Sequence, residues 1–375
     1  MHIPRTTMKQ LKSFTKEGKA TIVYGPRRVG KTTLLKKFLE NEKNYLFVTG
    51  EDVFVRDFLS SCSINKLKEF IGEKTLLVID EAQYIPNIGA NLKLIVDQLS
   101  HVKVIATGSS TFDLAKQIGE PLTGRKHVIK MYPIAQMELG SLENKAQTKA
   151  NLENRLVYGS YPEVITSTGN VSKQEYLQDL VSSYLLKDIL AFEGVKKSKK
   201  LVDLLTLLSF QIGKEVALSE LATQLALNRA TVERYLDLLE QVFVLINIRG
   251  FSRNLRKEIT KTSRYYFCDN GIRNALINNF NPLAKRNDVG ALWENYLVVE
   301  RIKKQNYKHL WSNNFFWRTY DQKELDWIEE REGNLFSYEF KWGKSVKNPP
   351  KLWQKTYPKS SFECINQDNY LSFIE

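Results

Sequence analysis

The chain has 375 residues, of which 55 are Lys or Arg and 42 are Asp or Glu, so its formal net charge is +13. This length allows two or three domains that each bury a core. The positive excess favours a polyanionic partner or substrate, although exposed lysine also serves solubility. The three cysteines lack metal-type spacing, no apolar run approaches the ~18 residues of a membrane span, and the N-terminus lacks a hydrophobic signal core. These features exclude disulfide-stapled, membrane-spanning and secreted classes, and they predict a cytoplasmic protein.

Short apolar runs alternate with polar helical segments between residues 20 and 110. The runs "ATIVY", "NYLFVT", "TLLVID" and "VKVIAT" read as strands, and helix-like periodicity follows each of them. This alternation is typical of a parallel sheet with crossover helices. Residues 1–145 are therefore predicted to form one α/β domain.

The segment "YGPRRVGKTT" fits the pattern G-x-x-x-x-G-K-[ST], with Gly25, Gly30, Lys31 and Thr32 at the defined positions. It follows a strand-like run and opens the helix-like "TTLLKKFLE", which is the context that a phosphate-binding loop requires. We expect backbone N–H groups to wrap the phosphates, Lys31 to reach the β- and γ-phosphates, and Thr32 to ligate Mg²⁺. The alternative is a glycine-rich turn that happens to precede a lysine. The predicted nucleotide-binding residues are Gly25, Pro26, Arg27, Arg28, Val29, Gly30, Lys31, Thr32 and Thr33, joined by Asp80 and Ser109.

Two further strand ends carry candidate catalytic residues. The apolar run "TLLVIDEAQ" ends in Asp80, which could hold the Mg²⁺, and in Glu81, which could orient and polarise the attacking water. The run "VKVIATGSS" ends in Thr107 and Ser109, which could sense the γ-phosphate or position water, although strands also end in ordinary Thr-Gly-Ser turns.

A basic residue near the end of this domain is a candidate cationic finger. Arg125 in "LTGRKH" could act on its own chain's nucleotide or on that of a neighbouring subunit in a homo-oligomer, and an exposed, solvated arginine is the alternative. No Asn-Lys-x-Asp quartet is present to read guanine. The predicted cofactors are therefore ATP and Mg²⁺.

Several segments together resemble a known family. The motifs "GPRRVGKTT", "LLVIDEAQ", "ATGSS" and "YGSYPEVI" are similar to those of AAA-type ATPases from bacteria and archaea that carry a winged helix and a C-terminal restriction-endonuclease-like domain. The resemblance continues in "RYYFCDNGIRNAL" and covers nearly the whole chain. It implies an ATPase domain, a winged helix and a nuclease-like domain in that order.

The middle of the chain is predicted to be helical. Residues 146–210 form a leucine-rich helical segment that includes the lysine-rich joint "EGVKKSKK". Residues 211–272 contain a helix-turn-helix, with Ser219 and Asn228 as candidate N-caps, followed by a strand pair. The outward face of the second helix carries both positive and negative side chains, so this helix is poorly suited to recognising DNA.

The strand pair that follows is strongly basic and could lie along nucleic-acid phosphates. Such contacts would give affinity with strong salt dependence and little sequence choice. The alternative is a winged helix that packs only on protein, because a fold does not imply a function. The residues predicted to contact DNA are Arg253, Arg256, Lys257, Lys261 and Arg264.

A second charged cluster lies near the C-terminus, in "ELDWIEEREGNLFSYEFKWGK". If a turn of two or four residues forms around "REGN", strand alternation places Asp326 on the same face as Glu339 and Lys341, together with Glu324 and Ile328. Two acids and a lysine on one face, backed by aromatics, are the ingredients of a metal-dependent phosphodiesterase. A salt bridge on a solvated strand face is the alternative.

This arrangement resembles the PD-(D/E)xK nuclease motif, although Leu325 stands where the motif has proline. The resemblance implies catalytic roles for Asp326, Glu339 and Lys341. It also implies a further acid at Glu294, which interrupts the apolar helix "GALWENYLVVERI". The metal ligands predicted for the whole chain are Thr32 and Asp80 in the first domain, and Glu294, Asp326 and Glu339 in residues 285–375.

The predicted fold class is α/β, with an AAA-like P-loop NTPase sheet, a helical segment plus winged helix, and a restriction-endonuclease-like domain. The predicted function is ATP binding and hydrolysis by a DNA-associated ATPase that couples nucleotide state to the winged helix and the nuclease-like domain. Two alternatives stay open: an Mg²⁺-dependent DNA nuclease regulated by ATP, and a non-catalytic signalling switch that binds protein partners.

Overall fold

The computed structural model describes residues 3–109, 122–185, 198–252, 263–319, 321–344 and 347–375. Two units can be distinguished by their internal contacts, and each is described by itself. The first comprises Met1–Ile134 and Gln241–Phe243, and the second Ala135–Glu240 and Val244–Glu375. In the described part of the chain, no helix is both long enough and apolar enough to cross a membrane.

The described strands of the first unit form a five-stranded, wholly parallel sheet in the order β2-β3-β4-β1-β5. The strands are β1 (Ala20–Tyr24), β2 (Tyr45–Thr49), β3 (Leu76–Asp80), β4 (Lys103–Gly108) and β5 (Lys126–Lys130). The helices are α1 (Thr7–Phe14), α2 (Lys31–Leu39), α3 (Val53–Leu59), α4 (Ile64–Ile71) and α5 (Ile88–Gln98), with a 3₁₀ turn at Ala82–Tyr84. The four predicted strands and the parallel sheet are confirmed.

Burial explains why these runs become strands. Every residue of β1 and β3 is buried, as expected of parallel strands that helices cover on both faces. One core cluster joins Ile79 of β3 to Leu59, Leu67 and Leu92, which come from α3, α4 and α5. Each such leucine contributes about 1.5–3 kcal/mol when it leaves water. The sheet is therefore held rigidly, and its strand ends are fixed in position.

The second unit contains a seven-stranded sheet in the order β12-β11-β10-β9-β7-β8-β6 among its described strands. The strands are β6 (Glu215–Val216), β7 (Leu245–Gly250), β8 (Ser263–Phe267), β9 (Asn313–Arg318), β10 (Glu324–Arg331), β11 (Asn334–Phe340) and β12 (Ser361–Ile365). The helices are α6 (Gln136–Leu139), α7 (Lys145–Tyr158), α8 (Pro162–Thr166), α9 (Asn170–Asp179), α10 (Ser198–Phe210), α11 (Leu218–Leu225), α12 (Arg229–Gln241), α13 (Asn270–Leu276), α14 (Val289–Tyr307), α15 (Lys351–Thr356) and α16 (Tyr370–Ile374).

One feature of this sheet has no counterpart in the sequence-based prediction. Strand β7 pairs antiparallel with β8 and parallel with β9, so the strands upstream of residue 268 and those downstream of residue 312 form one continuous sheet. The sequence divides this stretch into residues 211–272 and 285–375, and those bounds stay a prediction. The shared sheet brings β8 close to the C-terminal strands.

The predicted helix-turn-helix is present as α11 and α12. Asn228 caps α12, since its side-chain oxygen accepts from the N–H of Thr231 at 2.7 Å. The N-cap predicted at Ser219 is wrong, because α11 begins at Leu218 and Ser219 lies inside its first turn. Part of the predicted joint, residues 193–197, lies outside the described residues.

The turn between β10 and β11 has two residues, one of the two lengths that were predicted. Arg331 pairs with Asn334, and both Glu332 and Gly333 have left-handed backbone angles, with φ of 51° and 75°. Positive φ at both central residues is the signature of a type I′ turn, which matches the twist of a hairpin. The register follows, with Trp327 opposite Tyr338.

A β-bulge modifies the predicted face of β10. The pairing of β10 with β9 shifts register between Leu325 and Ile328. Both of these residues therefore pack in one apolar cluster with Trp353. The expectation of simple alternation across Glu324, Asp326 and Ile328 is wrong for this reason.

A buried ion pair connects α14 to β10. The guanidinium of Arg301 donates to both carboxylate oxygens of Glu329, at 2.6 and 2.8 Å, and Trp327 and Gln305 also donate to that carboxylate. Burial alone would raise the pKa of Glu329, but the hydrogen bonds and charge of Arg301 lower it below its ordinary value. The pair stabilises the fold only while Glu329 is ionised.

Replacing Glu329 by glutamine is expected to lower the free energy of unfolding by about 3–5 kcal/mol, because Arg301 would stay buried without its counter-charge. Since the folded pKa is depressed, the stabilisation is present above the ordinary value of 4.5 and is lost as the pH falls through the folded value. Urea unfolding at neutral and acidic pH measures both effects. Glu330→Gln, on the exposed neighbour, should leave the midpoint unchanged; equal midpoints for the two variants would contradict the assignment.

Candidate functional site

The predicted phosphate loop lies at the carboxyl edge of the five-stranded sheet. Residues 25–30 connect β1 to α2, and the adjacent ends of β3 and β4 lie at the same edge, because all these strands are parallel. Helix α2 follows the loop as predicted, but it begins at Lys31, one residue before the predicted start at Thr32. Ligands of open α/β sheets bind outside the carboxyl ends of the strands, so this edge is the candidate site.

Two glycines are required by the path of the loop. A Cβ on Gly25 would lie 2.1 Å from the carbonyl oxygen of Met131, and Gly30 has a left-handed φ of 95°. Arg5 also contacts the loop: its guanidinium donates to the carbonyl of Val29 at 2.7 Å. The sequence analysis did not identify Arg5, because nothing in its local pattern marks a contact 24 residues away.

Lys31 is buried at the start of α2. Its ammonium donates to the carbonyl oxygens of Gly25 and Pro26, at 2.9 Å each. A lysine head group held inside its own loop lies where phosphate oxygens would be cradled by the backbone N–H groups and by the N-terminus of α2.

The two residues predicted to hold Mg²⁺ in this domain meet directly. The hydroxyl of Thr32 donates to Asp80 Oδ2 at 2.7 Å, and the hydroxyl of Thr107 donates to Asp80 Oδ1 at 2.5 Å. Asp80 is buried, so both of its oxygens are oriented by neighbours from α2 and β4. A hydroxyl and a carboxylate oxygen are the donor types that Mg²⁺ prefers, which fits the predicted metal role.

Glu81 follows Asp80 in a strained conformation, with a left-handed φ of 51°. The amide of Gln83 donates to Glu81 Oε2 at 2.5 Å and to the hydroxyl of Ser109 at 3.2 Å. Ser109 and Glu81 are thus brought together through Gln83. The sequence analysis missed Gln83; its position two residues after Glu81 in "DEAQ" was the only available signal.

The remaining loop residues take different positions. The guanidinium of Arg27 donates to the hydroxyl of Tyr84 at 2.8 Å, close to the 3₁₀ turn that follows Glu81. Arg28 and Thr33 are exposed, whereas Val29 is buried. Arg27 therefore links the loop to the segment that carries the candidate catalytic acid.

Arg125 does not reach the phosphate loop of its own chain. It immediately precedes β5, and its carbonyl accepts from the N–H of Ala20, the first residue of β1. The loop begins at the other end of β1, about 13 Å away along the strand. Its guanidinium instead pairs with Asp97 at 2.5 Å. The role on its own nucleotide is wrong, and the role on a neighbouring subunit's nucleotide stays a prediction.

The bulge between Leu325 and Ile328 interrupts the alternation from which a common face was predicted, but Asp326 and Glu339 still lie close enough to interact electrostatically. Asp326 is 6% exposed and its Oδ2 accepts from the N–H of Phe340 at 2.8 Å, while Glu339 is 2% exposed. Glu339 Oε1 pairs with Lys341 at 2.9 Å and with Lys347 at 2.7 Å. The salt bridge considered as the alternative for Glu339 and Lys341 is therefore present.

Arg264 belongs to this cluster and not to an exposed basic wing. It is 3% exposed, and its guanidinium contacts Glu294, Glu324 and Asp326. The prediction that Arg264 contacts DNA is wrong, because strand β8 turns its side chain toward these acids. Four other residues predicted to contact DNA lie outside the described residues: Arg253, Arg256, Lys257 and Lys261.

Burial raises the pKa of Asp326 well above its ordinary value, and the nearby Glu294 and Glu339 raise it further. Burial also raises the pKa of Glu294. Across the described ranges, however, no three Asp, Glu, His or Cys side chains are grouped so that they could hold a metal ion. The predicted ligand set of Glu294, Asp326 and Glu339 does not form such a group.

Comparison with protein families assigns the three parts of the chain separately. Residues 17–140 match the family described as AAA domain. Residues 149–283 and 289–357 match two families described as domains of unknown function, DUF8612 and DUF4143 respectively. The AAA match covers the whole parallel sheet and the phosphate loop, and it implies nucleotide binding there.

The curated relatives are uncharacterized proteins. One from Mycobacterium tuberculosis is 26% identical over 327 residues, which cover 85% of this chain and 69% of the relative. One from Haemophilus influenzae is 25% identical and covers 79% of this chain and 78% of its own length. One from Methanocaldococcus jannaschii is 21% identical, with coverages of 83% and 72%. This chain is therefore similar to the AAA domain family over residues 17–140, where the P-loop lies, and to the DUF4143 family over residues 289–357.

Proposed function

We propose that the first unit binds ATP with Mg²⁺ and hydrolyses it. The observation that carries this proposal is the 2.7 Å contact between Thr32 and Asp80, which joins the helix after the phosphate loop to the end of β3. Lys31 precedes Thr32 in the chain, and Glu81 follows Asp80. Phosphate, metal and water would thus each meet a suitable group within one edge of the sheet.

Each residue has a definable task in this reaction. Lys31 would bind the β- and γ-phosphates, and Thr32 and Asp80 would hold Mg²⁺, which would neutralise phosphate charge. Glu81 orients the attacking water and accepts its proton. Gln83 is a positioning residue, because it fixes the carboxylate of Glu81 relative to Ser109.

Calorimetric titration of the full chain with ATP or GTP in the presence of Mg²⁺ tests the binding step. We expect heat of binding with ATP, and a loss of the Mg²⁺ dependence of binding in Asp80→Ala. The absence of any nucleotide uptake by folded protein would end the proposal. Tighter binding of GTP than of ATP would overturn the choice of adenine.

We propose that part of the second unit is a winged helix. Helices α11 and α12 precede the antiparallel pair β7–β8, and β6 adds a short strand beside β8. This order of a helix pair and a small antiparallel sheet supports that interpretation. The four basic residues that lie between β7 and β8 in the sequence would bind DNA phosphates. DNA bound there would change the rate of ATP turnover.

Replacing these four basic residues together by alanine is expected to weaken binding to duplex DNA at low salt. Each lost phosphate contact should reduce the slope of log K against log salt by about 0.9, so the total reduction is at most about 4. The variant carries these substitutions: Arg253→Ala, Arg256→Ala, Lys257→Ala and Lys261→Ala. Fluorescence anisotropy at several salt concentrations measures the slope.

A matched control removes the same charge from exposed lysines on α7 and α15. It carries these substitutions: Lys145→Ala, Lys149→Ala, Lys351→Ala and Lys355→Ala. If both variants lose affinity equally, binding follows net charge alone and the wing has no special role. ATP turnover with and without DNA shows whether the two activities are coupled.

We propose that residues 285–375 have a restriction-endonuclease-like fold. Helix α14 is followed by the antiparallel strands β9, β10 and β11, and α15 then leads to β12, which is parallel to β11. This order of elements supports the proposal, together with the proximity of Asp326 to Glu339. The fold by itself does not make this region a nuclease.

A further inference from the structure

The acid cluster of the second unit contains a cation supplied by the chain itself. Arg264 Nη2 lies 2.8 Å from Glu324 Oε2, and its Nη1 lies 3.6 Å from Glu294 Oε1 and 3.8 Å from Asp326 Oδ1. The guanidinium also lies over the ring of Phe316, 4.5 Å from its centre. A planar cation is therefore enclosed between three carboxylates and an aromatic face.

The carboxylates have further partners among the described residues. Glu294 Oε1 accepts from the hydroxyl of Tyr266 at 2.7 Å, and Asp326 Oδ2 accepts from the backbone of Phe340. Glu339 is paired with two lysines. One oxygen of each of these three carboxylates thus already accepts from a donor on the protein.

A divalent ion would have to enter the space that the guanidinium holds. Mg²⁺ binds carboxylate oxygens at about 2.0–2.1 Å and in near-octahedral geometry. An ion bridging Glu294 and Asp326 would lie within contact distance of Arg264 Nη1 and would be repelled by its charge. The residues present therefore do not fit the metal that a PD-(D/E)xK motif implies.

We infer that Arg264 is the resident cation of this cluster, that it excludes a divalent metal, and that the acids serve to hold strand β8 against β10 and α14. Arg264 comes from the strand that follows the basic segment. The pairing of β8 with the rest of the sheet thereby keeps the acids neutralised. The C-terminal region then has no metal-dependent cleavage activity at these carboxylates.

Binding of Mn²⁺ to the full chain without nucleotide, followed by the electron paramagnetic resonance signal of free Mn²⁺, tests this inference. Wild type and Asp326→Asn should bind the same number of ions. Arg264→Met, which keeps length and removes charge, should bind one more ion than wild type, and adding Asp326→Asn to it should remove that ion. An ion bound near Asp80 would be bound by all four proteins, so it does not affect the differences between their numbers of bound ions.

Two results would overturn the inference: an ion that wild type binds and Asp326→Asn does not, or an Arg264→Met protein that folds and gains none. If Arg264→Met fails to fold, the urea midpoints of wild type and Asp326→Asn in millimolar Mg²⁺ decide. We expect Mg²⁺ to shift the midpoints of the two proteins by the same amount. A rise in the wild-type midpoint that Asp326→Asn abolishes would show that the cluster holds a metal.

Discussion

Lys31→Ala is expected to lower ATP turnover at least about a hundredfold, the loss typical of removing one preorganised donor to a developing negative charge. The ammonium is buried within the loop, whereas the guanidinium of Arg27 in the same loop donates to the hydroxyl of Tyr84. Alanine is a good helix former at the first position of α2, so the helix should persist. Steady-state release of phosphate measures the effect.

Lys36→Ala is the matched control, since it removes an exposed lysine from the same helix. It should hydrolyse ATP at the wild-type rate. Circular dichroism of both variants shows whether α2 and the sheet remain folded. Normal turnover by a folded Lys31→Ala protein would remove the phosphate-binding role from this loop.

Glu81→Gln is expected to reduce turnover by about 10²–10⁴-fold, the usual contribution of a general base, while ATP still binds. Glutamine keeps the size of the side chain and its hydrogen bonding to Gln83, but it cannot accept the proton of the attacking water. Since Thr32 and Asp80 remain in place, the nucleotide and its Mg²⁺ should bind as before. Single-turnover hydrolysis and calorimetry separate the two steps.

Glu51→Gln serves as the comparison, because Glu51 is an exposed carboxylate just after β2 at the same edge of the sheet. It should leave both binding and turnover unchanged. Glu81→Gln with full turnover would exclude Glu81 as the base. Loss of binding together with turnover would instead make Glu81 part of the binding site.

The first unit could be predicted in detail because its signals are local. A strand, a glycine-rich loop and a helix are consecutive in the chain, and the geometry of Gly25 and Gly30 follows from their lack of a side chain. Asp80 and Thr107 also followed, because parallel strands bring their carboxyl ends to one edge. The family comparison covers these same residues.

The position of Arg125 could not be predicted from the sequence. Its sequence neighbourhood is compatible with a catalytic finger, and only the strand pairing shows that it lies at the amino edge of the sheet. Arg264 is a similar case, since a basic stretch of sequence gives no sign of which side chain turns inward. A bulge at Leu325 likewise has no clear sequence signature.

The sequence by itself determined the phosphate loop and the parallel sheet, because each depends on residues that are close in the chain or on the two-residue period of a strand. The register of the hairpin stayed conditional on the length of its turn, which the structure supplies. Only the tertiary structure decided the state of the C-terminal acids. Arg264, Glu294 and Asp326 come from three elements up to 62 positions apart (326 − 264), and β7 pairing with β9 brings them together. Whether a carboxylate meets a metal or a guanidinium depends on that long-range packing, because charges interact through space and not along the chain.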